Sequence, residues 1–135
     1  MIYLLDTSVL KRLDRPPIQE SLRHFAASGR LTRSTILDLE VGYSARTGEQ
    51  WSEFQRILGV FSPVPTSEED IGRALQIQGL LAHGSQRGRK IPDLLIAAVA
   101  EAHAMTVLHY DRDFDLIASV TGQRCEWIVP AGTVS

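Results

Sequence analysis

Short apolar runs alternate with amphipathic stretches along the whole chain. Ile2 to Leu5 is apolar throughout, as expected of a strand that is buried on both faces of a sheet. Thr106 to His109 resembles it, and Pro63 restricts the run around it to the edge of a sheet. In chain order, the predicted strands are residues 2–5, 31–33, 60–64, 106–109 and 125–129.

Apolar residues at helical spacing fill the intervals between these strands. The predicted helices are residues 9–13, 18–27, 36–46, 51–58, 68–83 and 93–103. We expect Thr7 or Ser8 to cap the first helix and Thr35 to cap the third. The alternation of strands and helices predicts an α/β fold, with a mainly parallel sheet and helices on both of its faces.

Composition restricts the class of protein without identifying it. With 135 residues, 44% hydrophobic and 22% charged, the chain is expected to form one domain over residues 1–135. The lone Cys125 excludes an internal disulfide bond and agrees with a cytoplasmic location. The longest apolar run, residues 94–100, is far shorter than the roughly 20 residues of a membrane span. The first residues lack the basic segment of a secretory signal.

The charge balance neither requires nor excludes a partner with phosphate groups. The net charge is −2, yet 12 of the 14 basic residues are arginines, which suit bidentate phosphate contacts. Residues 84–90 form one basic, loop-like segment, in which Arg87, Arg89 and Lys90 are candidates for phosphate contacts. A solvated loop without such a role is an equal alternative.

Three aspartates stand where predicted elements begin or end. Asp6 directly follows the first strand, Asp93 opens an apolar helix, and Asp111 follows the fourth strand. Ligand sites of parallel sheets form at the carboxyl ends of the strands, so we expect these acids to converge. Asp113 is a further candidate, whereas Asp115 is expected to lie outside the site. Taken singly, each acid also fits a helix cap or a solvated turn.

Glu40 is selected by the face of its predicted helix. Residues 36, 40 and 43 share one face, so Ile36 and Tyr43 flank the glutamate with apolar surface. Asp38 projects from another face and is expected to be solvated. The apolar stripe favours a functional role for Glu40, with extension of its side chain to water as the alternative.

Together these carboxylates predict a site for a divalent metal ion. Carboxylates within about 6 Å repel one another, which raises their pKa values and favours a hard cation between them. Oxygen ligands point to Mg²⁺ or Mn²⁺ rather than zinc. The four histidines and Cys125 lack the spacing of zinc motifs, which agrees with that choice.

The ordered set of motifs resembles the PIN domain, and within that family the VapC-type toxins of bacterial toxin–antitoxin pairs. Each motif is modest alone, but their order and spacing fit across essentially the whole chain. One departure is His109-Tyr110, where many relatives carry a Thr two residues before the last acid. The matching segments are Leu-Leu-Asp6-Thr7-Ser8, Leu39-Glu40, Ile91-Pro92-Asp93-Leu-Leu-Ile-Ala-Ala and Leu108-His-Tyr-Asp111-Arg-Asp113-Phe114.

The resemblance implies a three-layer α/β/α sandwich around a mainly parallel sheet of four to five strands. It also implies a Mg²⁺- or Mn²⁺-dependent endoribonuclease, often specific for transfer RNA, that leaves a 5′-phosphate. The partners that it implies are a second copy of the chain and a small cognate VapB-like antitoxin. By position, the catalytic and metal-binding residues are Asp6, Glu40, Asp93 and Asp111, with Asp113 as a supplementary ligand and Ser8 orienting Asp6 or a bound water.

Two other functions fit parts of the pattern. Enzymes with an aspartyl-phosphate intermediate need either an Asp where Ser8 stands or a late lysine, and the only lysines are Lys11 and Lys90. A catalytically silent PIN-fold binding module predicts a degraded acidic set, whereas all four acids are present. We therefore expect an enzyme and keep the binding module as the alternative.

Overall fold

Strands and helices alternate in the computed structural model, which describes residues 1–86 and 90–135. The strands are β1 (Ile2–Leu5), β2 (Arg30–Ser34), β3 (Ser62–Val64), β4 (Thr106–His109) and β5 (Cys125–Trp127). The helices are α1 (Thr7–Leu10), α2 (Pro16–Ser28), α3 (Thr35–Tyr43), α4 (Gly48–Leu58), α5 (Glu68–His83), α6 (Ile91–Ala102) and α7 (Asp113–Thr121). Within the described ranges, none of these helices has the length and apolarity needed to cross a membrane.

The strands of the described chain form one parallel sheet in the order β3-β2-β1-β4-β5. The chain builds outward from β1 through β2 to β3 and then returns to the other side of β1 for β4. Such a reversal leaves a crevice at the carboxyl ends of the strands that flank it. The backbone N–H of Asp6 donates to the carbonyl of Leu108 at 3.0 Å, so the ends of β1 and β4 lie side by side.

Each face of the sheet is covered by its own apolar core. Leu4 belongs to a core that includes Phe114 and other residues of α5, α6 and α7. Leu5, the next residue along β1, belongs to a second core that includes Ile18 and other residues of α1 to α4. Successive side chains of a strand point to opposite faces, so β1 anchors both layers. The three-layer sandwich with a parallel sheet is confirmed, and it has five strands.

Two predicted caps differ in the structure. Asp6, rather than Thr7 or Ser8, caps α1, because its carboxylate accepts a backbone N–H of the first turn. Ser34, rather than Thr35, caps α3 in the same way. The segment after β4, for which the sequence predicts no helix, leads into α7, which serves as the crossover that two parallel strands require.

Candidate metal centre

Asp6 has two differently placed carboxylate oxygens at the end of β1. The Oδ2 atom accepts the backbone N–H of Ser8 at 2.9 Å and so caps α1. The residue is only 3% exposed, and its Oδ1 atom has no hydrogen-bond partner among the described residues. Because a buried carboxylate oxygen without a partner is costly, this atom is suited to bind a cation.

Asp93 is the second buried acid that has a carboxylate oxygen without a hydrogen-bond partner. It lies in the first turn of α6 and is 4% exposed. Its Oδ2 atom also lacks a partner in the part of the chain that the structure describes. The helix that follows is buried from Leu94 to Ala100 except at Leu95, so the Asp93 carboxylate lies at the entrance of a largely buried helix with little access to water.

Asp111 and Asp113 bring two more carboxylates to Asp93. Carboxylate oxygens of the three residues lie within 4.8 Å of one another, so a single cation could contact all of them. Asp111 Oδ1 accepts the backbone N–H of Asp113 at 2.9 Å, and Asp111 Oδ2 forms an ion pair with Lys90 Nζ at 3.0 Å. These contacts hold the acids that follow β4 in a fixed arrangement.

Glu40 faces the same cleft as Asp6 and Asp111, although the reason given for it from the sequence is incomplete. Tyr43, at one end of the supposed apolar stripe, is 92% exposed, so that part of the helix face is not buried. Glu40 is placed instead by Thr7, whose Oγ1 donates to Glu40 Oε1 at 2.7 Å. The sequence predicts only a capping role for Thr7, although its position directly after Asp6 places it at the carboxyl end of β1 and so beside the acids.

Asp38 and Asp115, the two acids expected to lie away from the site, have structural partners. Asp38 forms an ion pair with Arg33, so the expectation that Asp38 is solvated is wrong. Asp115 accepts a hydrogen bond from Trp127 Nε1 at 3.1 Å and is not part of the group formed by Asp93, Asp111 and Asp113. Both aspartates therefore have roles outside the cleft.

Ser8 joins the two strand ends on which the acids stand. Its backbone N–H donates to Asp6, and its Oγ accepts the backbone N–H of Tyr110 at 2.8 Å. Ser8 therefore fixes Asp6 relative to the segment that carries Asp111. These contacts agree with the expectation that Ser8 orients Asp6, because both the backbone N–H and the side chain of Ser8 stabilise the Asp6 carboxylate and act to lower its pKa.

The predicted basic loop is only partly described. Arg87 and Arg89 lie outside the described residues. Lys90 directly precedes α6, where its side chain makes no capping hydrogen bond, and it lines the cleft, where its ammonium group pairs with Asp111. Its proposed contact with phosphate stays a prediction.

The pKa values of the acids reflect burial and mutual repulsion. Burial, aided by repulsion from Asp6, raises the pKa of Asp93 from 3.8 to about 8. Burial likewise raises the pKa values of Asp6 and Glu40, although hydrogen bonds from Ser8 and Thr7 oppose the change. Burial also acts to raise the pKa of Asp111, but hydrogen bonds from the Asp113 backbone and Lys90 outweigh it and hold this pKa below its usual range.

These features fit a divalent metal ion. The donors are all carboxylate oxygens, which hard cations prefer. Two buried oxygens, on Asp6 and Asp93, lack other partners among the described residues, and the nearby Lys90 supplies only one positive charge. A cation at this position would satisfy both oxygens and reduce the repulsion that raises the pKa of Asp93.

The cleft around these acids has a volume of about 530 Å³. The acids that line it are Asp6, Glu40 and Asp111, and Ala131, Gly132, Val134 and Ser135 also contribute to its wall. Cations and aromatic rings complete the lining, namely Lys11, Arg12, Lys90, Tyr110, Arg112 and Trp127. The combination of acids with exposed cations suits an anionic ligand held next to a metal ion.

The fold and the cleft define an α/β protein with a candidate metal site at the carboxyl edge of its sheet. The chain belongs to the PIN-domain family, because the model of the PIN domain matches residues 3–120.

Comparison with known proteins agrees with this assignment. The chain is 57% identical to Ribonuclease VapC51 of Mycobacterium tuberculosis, over 98% of this chain and 96% of that protein. The crystal structure of VapBC2 from Rickettsia felis, bound to a DNA fragment from their promoter, has a TM-score of 0.78 at 20% identity and covers 94% of this chain and 98% of that one. The crystal structure of VapBC-5 from M. tuberculosis, a member of the VapBC family of toxin–antitoxin systems, has a TM-score of 0.60 at 25% identity. The match covers 93% of this chain and 96% of that chain.

Proposed function

We propose that this protein is a metal-dependent endoribonuclease and the toxin of a toxin–antitoxin pair. The observation that carries the proposal is the convergence of carboxylates at the carboxyl ends of β1 and β4. Asp111 is common to the cleft that holds Asp6 and Glu40 and to the close group with Asp93 and Asp113. The relative at 57% identity is named a ribonuclease and matches nearly the whole chain, which supports the same activity here.

Asp6, Glu40, Asp93 and Asp111 are the proposed ligands of Mg²⁺ or Mn²⁺, with Asp113 as a supplementary ligand. When bound, the ion supplies a water of lowered pKa and neutralises charge on the scissile phosphate. Ser8 and Thr7 hold Asp6 and Glu40 in place, so the site is largely formed before substrate binds. Lys90 is the proposed contact to a neighbouring phosphate.

No histidine is needed as a general base in this proposal. His109 is fully buried, and its Nδ1 atom accepts the backbone N–H of Asp111 at 3.2 Å. Burial lowers the pKa of His109 to about 4, so the imidazole is neutral at pH 7. Among the described residues that line the cleft there is no histidine. His109 therefore serves to support Asp111 rather than to transfer protons.

The alternative of a catalytically silent module is less consistent with the site. A protein that only binds partners has no need of buried carboxylates that repel one another, because each of them opposes folding. Asp6 and Asp93 keep such groups at 3% and 4% exposure. We therefore retain the enzyme as the proposal.

Purified protein tests this proposal directly. Incubation with total bacterial RNA and Mg²⁺ or Mn²⁺ should yield new 5′-phosphate ends at a small number of sequences, and transfer RNA is the first class to inspect. Excess EDTA should stop cleavage, and added Mg²⁺ or Mn²⁺ should restore it, because the carboxylates cannot stabilise a phosphate alone. Cleavage that persists in EDTA would overturn the metal assignment, and absence of any metal-dependent cleavage would overturn the function.

The proposed antitoxin has a suitable docking groove beside the acids. The groove has a volume of about 290 Å³ and runs from Thr7 and Glu40 toward Phe54, Ile57 and Leu58. It is mainly apolar, yet at one end it reaches a glutamate of the cleft. A peptide with an apolar face and a terminal cation matches this arrangement, and such a segment of the antitoxin is the proposed occupant.

Replacement of Ile57 by Glu should abolish binding of the co-encoded antitoxin and leave RNA cleavage intact. Ile57 is 45% exposed on the wall of this groove, so a charge there opposes apolar docking at little cost to the fold. Leu80→Glu is the matched control, since Leu80 is also 45% exposed but lies on α5. Co-purification and inhibition of cleavage measure the effect. Equal inhibition of both variants by the antitoxin would rule out this groove.

Two further features complete the proposal. We place the protein in the cytoplasm, where its RNA substrate is found, as one domain over residues 1–135.

We also propose the homodimer that the resemblance implies. Apolar side chains of Ile71, Leu75 and Ile91 are 55%, 69% and 64% exposed along α5 and α6, which is compatible with contact to a second copy.

A further inference from the structure

Arg12 is a fixed cation in the cleft that the sequence analysis did not single out. Its Nη1 atom donates to the carbonyl of Ser8 at 2.7 Å, and its Nε atom donates to the carbonyl of Ser135 at 3.3 Å. The guanidinium carbon lies 4.7 Å from the centroid of the Tyr110 ring. These three contacts hold the planar group in one orientation, although it belongs to a long and flexible side chain.

The Tyr110 ring that Arg12 contacts is itself held in place by hydrogen bonds and by a second ring. The hydroxyl of Tyr110 donates to the carbonyl of Val134 at 2.6 Å and accepts the backbone N–H groups of Gly132 and Val134, each at 3.1 Å. Trp127 packs edge-on against the ring, with centroids 5.4 Å apart. Residues 132–135 therefore support Arg12 twice, once through Tyr110 and once through Ser135.

No acidic side chain neutralises the positive charge of Arg12 within residues 1–86 and 90–135. Its contacts are the carbonyl of Ser8, the Tyr110 ring and the main-chain oxygen of Ser135, which it shares with Arg15 Nη1 at 3.1 Å. Lys90 differs, because it is paired with Asp111. A guanidinium has five N–H donors, and the hydrogen bonds to Ser8 and Ser135 use two of them.

Arg12 is also coupled to the acids. Ser8 accepts from Arg12 through its carbonyl and donates to Asp6 through its N–H, so one residue fixes both groups. Arg12, Asp6 and Asp111 line the same cleft. An anion that contacts the free donors of Arg12 therefore lies next to the carboxylates without needing to displace an ion pair.

We propose that Arg12 is the preformed phosphate-binding residue of this cleft and holds the RNA backbone beside the carboxylates, supported by Tyr110 and residues 132–135. This inference rests on the proposed ribonuclease function and adds a residue that contacts the substrate. The rigid, planar guanidinium suits bidentate contact with a phosphate, and its order before binding reduces the entropy lost on association.

The test compares Arg12→Gln with Arg124→Gln in the full chain. Both variants remove one arginine charge, but Arg124 is exposed and directly precedes β5, at the amino edge of the sheet. The substrate is an oligoribonucleotide that spans the strongest cut site found in total bacterial RNA. Arg12→Gln should raise KM about 10-fold or more, because a charge-assisted contact is lost. It should also reduce the slope of log(kcat/KM) against log[salt] by about 0.7, the value for one phosphate contact on a single strand.

Arg12→Lys and Tyr110→Phe separate contact from support. Arg12→Lys keeps the positive charge but loses the planar guanidinium that can contact a phosphate through two N–H groups. The slope of log(kcat/KM) against log[salt] should therefore be retained while KM rises. Tyr110→Phe keeps the ring but loses the hydroxyl that binds residues 132–134. This substitution should raise KM modestly in the wild-type background and should not change KM in the Arg12→Gln background. Circular dichroism checks folding, and Arg12→Lys carries the test if Arg12→Gln does not fold.

The possible failures are distinguishable. If the wild-type protein cleaves RNA and Arg12→Gln matches Arg124→Gln in KM and salt slope, the role of Arg12 is wrong and the proposed function stands. If Arg12→Lys behaves as wild type in both quantities, a bidentate contact is excluded. If the wild-type protein cleaves no RNA under any of the metal conditions, the proposed function and the inference both fall.

Discussion

Replacement of Asp6 by Asn should reduce the rate of RNA cleavage at least about 1,000-fold while leaving the fold intact. Asparagine keeps the size of the side chain and an oxygen that can accept the N–H of Ser8, so α1 retains its cap. It removes the negative charge that a metal ion would bind at the buried Oδ1 position. A loss of this size corresponds to about 4 kcal/mol of transition-state stabilisation.

The measurement is the single-turnover rate of cleavage at saturating Mg²⁺ or Mn²⁺, with thermal unfolding recorded in parallel. Asp115→Asn is the control, because this substitution removes the same charge. Asp115 contacts Trp127 and lies outside the group formed by Asp93, Asp111 and Asp113. The control should stay within a factor of a few of the wild-type rate. Retained activity in a purified Asp6→Asn, Asp93→Asn double variant would falsify the assignment of the site.

The positions of Asp6 and Asp111 could be predicted because local patterns identify the strands that they follow. The apolar run Ile2–Leu5 and the mostly apolar run Thr106–His109 indicate buried parallel strands, and an acid after such a strand lies near the carboxyl edge of the sheet. The order of the strands, which places β1 next to β4, depends on long-range packing. The expectation that the acids converge therefore came from the general rule that ligand sites of parallel sheets form at the carboxyl ends of the strands.

Other features of the cleft depend on contacts that no local pattern contains. Glu40 was selected from an apolar stripe, yet Tyr43 is exposed and Thr7, 33 residues away, positions the glutamate. Arg12 is separated from Ser135 by 123 residues, so nothing near Arg12 in the sequence indicates its support. Side chains whose orientation is set by distant partners become visible only when the fold is known.

The stability of the metal-free protein should fall as pH rises from about 6 to 9, mainly through Asp93. Its pKa of about 8 in the folded protein exceeds its ordinary value of 3.8, so unfolding in this range releases a proton. The free energy of unfolding therefore decreases with pH, by at most about 1.4 kcal/mol per pH unit for one proton, and levels off above the folded pKa. The raised pKa of Asp6 acts in the same direction.

His109 acts in the opposite direction at lower pH, which sets the window for the experiment. Its pKa in the folded protein is about 4, below the ordinary value of 6.5, so stability is lost as pH falls below about 6.5. Urea unfolding between pH 7 and pH 9 in excess EDTA therefore avoids the contribution of His109. Burial raises the pKa of Cys125 from 9.0 to about 12, so the thiol adds to the loss of stability near pH 9, equally in the wild type and in the aspartate variants. Above pH 7 the contribution of His109 is constant.

Asp93→Asn should be more stable than the wild type at pH 9 in EDTA, with a flatter dependence on pH, although it is inactive. The amide carries no charge, so burial no longer opposes folding as pH rises. Saturating Mg²⁺ should stabilise the wild type at pH 9 and stabilise Asp93→Asn much less, because a ligand that binds only the folded state shifts its stability. Asp115→Asn should follow the wild type in all conditions. A wild-type curve that is flat from pH 7 to 9 in EDTA would show that Asp93 is not held in the buried, repulsive environment described.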